Sequence, residues 1–511
     1  MATADLTARE APAQGREMTA LLDPSSPESY RLFLQIKSLP RYRITGRLAT
    51  FPAEYADRLG LAAAPPAGAA YSPVPGLFDY QRDIAALAVR KRKFAVFAEC
   101  GLGKTLIMLE YARHAAAELP AGRCVLIVSP LMVVSQTLAE AARFYGDSLP
   151  IDRVRAKDLP AWLASGAGRV GITNYEAVTP TVRRGRLGAL ILDESSMLKS
   201  HYGSWARRLI DLGRGLGWKL CLTGTPAPND RIEYGNHAVL LDRFPTVNAF
   251  LARYFVNRGQ TDNRWELKPH ALRPFYRSLS DWCIFLADPA TYGWRDNVGV
   301  IPPVVVHHHD VPLTAEQRAL VSSVSGDLYG SPGGITSRAK LSQLAKGRHG
   351  GRDVPSLKAE FVAGLVRSWP GEQTLVWCLY NREQDAVEAA LPEATGLRGD
   401  TPEEARARAI DAFKAGDVPC LISKPRVLGF GLNLQAATRQ VFSGLEDSYE
   451  SYYQAVKRSN RVGSTRALHV HLPVTEIERA MVENVLRKAA RVEADTREQE
   501  SLFKECGRVA F

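Results

Sequence analysis

The sequence predicts an α/β protein made of two doubly wound parallel-sheet lobes, a helical region between them and a small N-terminal accessory region. Three observations lead there. The chain has 511 residues, too many for one hydrophobic core. Short apolar runs alternate with stretches of helical period, as in a parallel sheet covered by helices. That alternation occurs twice, on either side of an aromatic-rich, irregular stretch.

Residues 1–24 are rich in Ala, Glu and Pro and predict a mobile tail. Ser26 then reads as an N-cap, with Pro27 at the first helical position. "RYRITGRLATF" alternates like a strand, and "AAAPPAGAAYSPVPG" reads as a linker closing an accessory region over 1–70. The first lobe, 71–240, carries the strand candidates "KFAVFAE", "VLIVSP", "RVGITNY", "ALILDE" and "KLCLTGT". Residues 241–350 form the expected inter-lobe region, with "YGSPGGITSR" as a joint. The second lobe, 351–490, contributes "TLVWCLY", "CLISKP", "RQVFSG" and "LHVHLPV". The tail, 491–511, ends a mixed-charge helix expected to face solvent.

Composition narrows the class. The chain is 46% hydrophobic and 23% charged, with a net charge of +11 that suits a polyanionic partner. Seven scattered cysteines without a CxxC pair indicate neither a zinc site nor a disulfide framework. No leader pattern is seen, and no apolar run nears the ~20 residues of a membrane helix. A soluble, cytoplasmic protein without membrane contact is expected.

"AECGLGKT" follows a predicted strand and opens a helix. Backbone N–H groups of such a loop, together with the helix N-terminus, point at an anion. Gly101 and Gly103, flanking Leu102, let the backbone come close; Lys104 would meet the β- and γ-phosphates and Thr105 would hold Mg²⁺. The first glycine of the common phosphate loop is missing; Ala98 stands at that end. Asp193 and Glu194 end another apolar strand, where a magnesium-organising carboxylate and a water-activating one belong. Thr223 and Thr225 in "LTGTPAPND" offer hydroxyls on the γ-phosphate side, and the Gln81 amide can read adenine. Ser129, Pro130, Asn174 and Tyr175, at strand ends, are candidate contacts to nucleic-acid phosphates.

The second lobe has no phosphate loop of its own. Gln454, Arg458 and Arg461 fall at i, i+4 and i+7, on one helix face, and two guanidinium groups there suit a triphosphate. Gly431 is placed to approach the nucleotide, and Asn433 to cap a following helix. Tyr380, Asn381, Arg382 and Lys424 are further candidate strand contacts. The triplet His307–His309 invites a metal reading, but strand neighbours alternate faces and no ligand cluster accompanies it, so none is predicted. Arg90–Lys93 reads as solvated helix capping.

In this order and spacing the blocks resemble the superfamily 2 helicase-like ATPases, above all the Snf2-type branch in its compact phage and bacterial forms. "ECGLGKT" is similar to its motif I, "LDESSMLK" to II, "LTGTPAPND" to III, "GFGLNLQAA" to V and "YYQAVKRSNRVGS" to VI; "DRIEYGNHAVLL" is similar to a segment of the compact forms. Three motifs depart: Ser195 and Ser196 replace the last two residues of DEAD or DEAH, Ser464 stands for the final Gln of motif VI, and in motif V Pro425 replaces a phosphate-contacting hydroxyl, leaving Lys424 as its substitute. The resemblance implies two RecA-like lobes, ATP and Mg²⁺ as cofactors, Lys104, Asp193, Glu194, Arg458 and Arg461 as catalytic residues, and movement along double-stranded DNA. The alternatives are a strand-separating helicase on single-stranded DNA or RNA, and a nucleotide-gated subunit that works with a protein partner in a restriction or defence complex.

Overall fold

The computed structural model describes residues 6–11, 15–61, 71–166, 169–199, 204–228, 230–259, 265–295, 301–326, 335–428, 432–461 and 463–506. The linker at 62–70 and much of the joint near 330 lie outside them. The chain divides into two compact units. The first holds Met1–Glu99, Gly103–Asp296 and Asp495–Phe511; the second holds Cys100–Leu102 and Asn297–Ala494.

The first unit opens with strands β1 (Leu6–Ala11) and β2 (Gly15–Leu21), helix α1 (Pro27–Lys37), and strands β3 (Arg43–Thr45) and β4 (Leu48–Pro52). They form an antiparallel sheet in the order β1-β2-β4-β3. Ser26 caps α1, accepting from the Ser29 N–H, as its position before Pro27 predicts. The expected mobile tail is instead a hairpin. Ala20 is fully buried with Phe51 and Ile36, and that burial fixes a segment whose composition reads as loose.

The rest of the unit comprises α2 (Asp79–Lys91), β5 (Lys93–Ala98), α3 (Lys104–Glu118), β6 (Cys124–Ser129), α4 (Leu131–Tyr145), β7 (Asp152–Arg153), α5 (Leu159–Ser165), β8 (Val170–Asn174), β9 (Leu187–Asp193), α6 (Ser204–Gly213) and β10 (Trp218–Thr223). After these come α7 (Tyr234–Leu240), α8 (Val247–Tyr254), the hairpin β11 (Phe255–Asn257) and β12 (Trp265–Leu267), α9 (Leu272–Leu279) and β13 (Cys283–Leu286). Seven parallel strands run in the order β13-β5-β10-β9-β6-β8-β7. The central strands are buried along their whole length, which is why they read as unbroken apolar runs. The sheet does not end near residue 240 as the alternation suggests: β13 closes its edge, paired with β5.

The second unit contains β14 (Val304–Asp310), α10 (Ala315–Gly326), α11 (Ile335–Ala345), the short pair β15 (Arg348–His349) and β16 (Arg352–Asp353), α12 (Lys358–Arg367), β17 (Thr374–Trp377), α13 (Asn381–Ala390) and β18 (Thr395–Gly396). It continues with α14 (Glu403–Ala415), β19 (Cys420–Ser423), β20 (Arg439–Phe442), α15 (Tyr449–Val456), β21 (Leu468–Val474) and the start of α16 (Arg479–Cys506), which from Asp495 on belongs to the first unit. Six parallel strands run β14-β21-β20-β17-β19-β18. The architecture is thus two RecA-like parallel-sheet lobes. The distal part of α16 is not the solvated helix its charges suggest. Gln499 and Glu500 are buried, the Gln499 amide donating to the Tyr234 hydroxyl (3.0 Å) and Glu500 accepting from the Ala287 N–H (2.7 Å). No helix among the described residues is long and apolar enough to cross a membrane.

Candidate nucleotide site

The site of the first unit lies at the carboxyl ends of β5, β9 and β10, where open α/β sheets place ligands. The turn from β5 into α3 needs left-handed backbone at Gly101 (φ 93°) and Gly103 (φ 69°). A Cβ at Gly103 would lie 2.1 Å from Gln81 Nε2, so the Gln81 amide is packed directly on the loop. The other end of that amide accepts from the Phe78 N–H (3.0 Å) and caps α2. Gln81 thereby ties the helix before β5 to the phosphate loop. Lys104 turns its ammonium onto the carbonyls of Ala98 (2.8 Å) and Glu99 (3.1 Å), and Thr105 stands beside it in the first turn of α3.

Asp193 ends β9. Burial raises its carboxyl to about 6, against the opposing pull of the Ser129 hydroxyl and the Lys104 charge. Glu194 follows in left-handed backbone (φ 53°), a costly conformation for a side-chain-bearing residue. Its carboxylate accepts from the Thr223 hydroxyl and from Ser196 (3.1 Å), and Thr223 in turn accepts from the Thr225 N–H (3.1 Å). The Thr225 hydroxyl is buried with no hydrogen-bond partner among the described residues. A glycine cradle, an ammonium spent only on carbonyls, a neighbouring buried carboxylate and an orphaned hydroxyl form a donor set that fits a nucleotide phosphate with its divalent cation.

Two expectations change here. Ser129 is fully buried and donates to Asp193 (2.8 Å), and Tyr175 donates to the Asp193 carbonyl (2.7 Å). Both hold the acidic strand end in place, so neither is presented to a nucleic-acid strand. Pro130 serves as the N-cap of α4, and Asn174 is half-buried with its amide on Glu176 (2.6 Å). One contact was not foreseen. His237 of α7 is fully buried and shares a hydrogen bond with Ser195 (3.0 Å), and burial pushes it down to about 4, keeping it neutral. Asn236 beside it donates to the Leu198 carbonyl (2.6 Å). The two serines of DESS thus brace the acidic pair, Ser196 directly and Ser195 through α7. The signal was the "YGNHAVLL" stretch, whose role no local spacing reveals.

In the second unit, α15 ends at Val456, so Arg458 and Arg461 do not continue the helical face predicted from Gln454. Hydrogen bonds from distant residues end the helix: Gln440 donates to Ser459 (2.9 Å), Asn460 to the Pro302 carbonyl (2.7 Å), and the Leu434 N–H to the Arg458 carbonyl (2.9 Å). Arg458 nevertheless stays beside Gln454 (3.4 Å), whose buried Nε2 has no partner among the described residues. The Arg461 guanidinium pairs with no carboxylate among the described residues. Lys424 donates to Asn381, joining two of the predicted strand contacts, while Tyr380 caps α13 and Arg382 is exposed. Asn433 accepts from the Gln435 N–H in a turn and caps no helix. Gly431 lies outside the described residues.

The family model described as SNF2-related domain matches residues 88–275, and the helicase conserved C-terminal domain matches 357–463. The chain belongs to the Snf2-type helicase-like ATPases of superfamily 2. As a Snf2-type ATPase it is a nucleic-acid-dependent ATP hydrolase. It is similar to protein p41 of Acyrthosiphon pisum secondary endosymbiont phage 1, at 25% identity over 76% of this chain and 88% of the phage protein. It is also similar to a Bacillus subtilis protein named as an ATP-dependent helicase/translocase, YwqA, at 22% identity over 74% of this chain but only 43% of that protein. Among solved structures it is similar to the Sulfolobus solfataricus SWI2/SNF2 ATPase core in complex with dsDNA, at 18% identity and a TM-score of 0.39, covering 84% of this chain and 96% of that one.

Proposed function

We propose that this Snf2-type ATPase is a motor that moves along double-stranded DNA without separating its strands. The observation that carries the reading is the SNF2-related domain match across 88–275, which contains the whole phosphate-loop and carboxylate constellation. The name helicase/translocase of the Bacillus relative supports it.

Bound ATP with Mg²⁺ would supply the phosphoanhydride and the charge that neutralises it. The chain's own residues do the rest. Lys104 exchanges its two carbonyls for phosphate oxygens, with Gly101, Leu102 and Gly103 offering backbone N–H groups. Thr105 and Asp193 hold the cation. Glu194 orients the attacking water and takes its proton, and Thr223, hydrogen-bonded to Glu194, passes the state of that carboxylate into the loop after β10. Gln81 reads adenine. Arg458 and Arg461 act as arginine fingers on the same nucleotide, with Gln454 beside them. Asn381, Arg382 and Lys424 contact the DNA backbone.

Displacement of a third strand from a triplex-bearing duplex tests this, because it needs translocation but no unwinding. The wild-type chain with ATP should release the third strand, and Lys104→Ala should not. Release of a duplex strand without triplex displacement would favour the strand-separating reading. No activity without added cellular protein would favour the subunit reading.

A further inference from the structure

A second cavity in the first unit lies at the opposite end of the sheet from the nucleotide site. It is about 440 Å³, a size typical of small-ligand pockets. Its walls come from the N-terminal sheet region (Arg41, Tyr42), the turn after α7 (Asp242, Arg243, Phe244), α8 (Arg253) and the residues leading into β13 (Asp281, Trp282). Beside it, Lys93 begins β5 and Lys219 is the second residue of β10, so the cavity sits at the amino ends of strands whose carboxyl ends carry the phosphate loop and Thr223. A strand of that length spans roughly 20 Å.

The charges around this cavity do not balance. Asp281 is almost fully buried and is faced by Arg243 (3.0 Å), Lys91 (3.8 Å) and Arg41 (3.8 Å), and it also accepts from the Tyr55 hydroxyl (2.6 Å). Asp242 is faced by Lys93 and Lys219, each at 2.8 Å. Among the described residues Glu17 on Arg41, Glu54 on Lys91 and Asp211 on the cavity-lining Arg214 add negative charge. Arg253 meets no carboxylate among the described residues and lies over the Phe244 and Tyr254 rings. Seven cations therefore face five carboxylates in a partly desolvated pocket, an arrangement that favours an added anion.

The donors are unspent as well. Arg41 stands at ion-pair distance from Glu17 and Asp281 but makes no hydrogen bond among the described residues, and neither does the Arg253 guanidinium. Arg243 donates to Asp281 (3.0 Å) and to the Lys93 carbonyl (2.9 Å), while its buried Nε has no partner among the described residues. Guanidinium groups that line one cavity and keep N–H donors free suit the oxygens of a tetrahedral dianion.

We propose that this cavity is a binding site for a small phosphate-bearing anion, held by Arg41, Arg243 and Arg253. The ligand would bridge the N-terminal region, through Arg41, and the ATPase lobe, through the two other arginines. Because the cavity is remote from the phosphate loop, its occupancy is separable from ATP binding.

The test uses the full-length Lys104→Ala chain, which weakens phosphate binding at the nucleotide site. Binding of inorganic phosphate and of AMP is measured by calorimetry, and thermal midpoints are recorded against sodium chloride of equal ionic strength. Phosphate should bind and raise the midpoint beyond the chloride control. Arg253→Gln in that background should weaken binding about tenfold or more while leaving the ligand-free midpoint close to its parent, since Arg253 makes no ion pair. Arg41→Gln should also weaken phosphate binding and serves as the second variant, with some loss of the ligand-free midpoint because Arg41 stands at ion-pair distance from Glu17 and Asp281. Tighter AMP binding would identify a nucleotide as the ligand, and equal binding the free ion. A phosphate response no larger than that of chloride, or one that both variants leave unchanged, overturns the proposal.

Discussion

Single residues decide the chemistry of the loop, and Gly103 shows how. Its φ of 69° and the 2.1 Å approach of Gln81 Nε2 leave no room for a side chain. Gly103→Ala should cost about 1–2 kcal/mol from the left-handed backbone alone, plus displacement of the Gln81 amide that caps α2. Denaturant unfolding measures the loss. The Gly103→Ala, Gln81→Ala double variant should recover part of it, because the clashing amide is gone; strict additivity would contradict the contact. The phosphate loop and the Asp193–Glu194 pair were legible in the sequence because their spacing is local and each follows an apolar strand. Ser129 and Tyr175 were misread for the opposite reason: their hydroxyls serve Asp193, a partner that only the parallel order of β6, β9 and β8 brings near.

At the scale of elements, the strands legible in the sequence are those buried along their length. β13 escaped notice inside an aromatic-rich stretch, and β14 was read only through its histidine triplet, its exposed positions being Val305, Val306, His308 and Asp310. The triplet His307–His309 does alternate faces, as its spacing requires. Sequence reasoning missed the partners supplied by β21: His307 bonds His469 (2.9 Å) and His309 bonds His471 (3.0 Å) across the parallel pair. The paired nitrogens face each other, and no group of metal-capable donors is found among the described residues. Arg439 points at the far nitrogen of His471 (3.3 Å), and Arg466 is held nearby on Glu372, the acid of this cluster. Burial first, then the neighbouring histidines and Arg439, push His471 down to about 3, and His309 and His469 are also lowered.

This ladder makes the edge strand of the second sheet sensitive to acid. An unfolded histidine titrates near 6.5. Below that pH the unfolded chain takes up protons that the folded ladder refuses, so stability falls as pH drops from about 6.5 towards 3. His471→Gln should make urea midpoints depend less steeply on pH across that window. An unchanged slope would show that the ladder does not govern acid unfolding.

The proposed motor needs the phosphate-loop and carboxylate constellation of one lobe together with arginines carried by the other. Arg461→Ala should lower the turnover of ATP by ~10³-fold or more while changing nucleotide affinity only a few-fold. Parallel ATPase and nucleotide-binding titrations check this, and equal losses in both would contradict a finger role. The two-lobe plan was legible because the alternation of strand and helix repeats. The break of α15 before Arg458 was not, since Ser459, Asn460 and the Arg458 carbonyl are held by residues far off in the chain. The net charge of +11 fits a polyanion track but names none.

The most direct test of duplex tracking is the ATPase rate of the purified chain with double-stranded DNA, single-stranded DNA and RNA in parallel. The account predicts the largest stimulation by the duplex, falling steeply as salt rises, because phosphate contacts release counterions. Stimulation by single strands alone, or a rate that no nucleic acid changes, would contradict it.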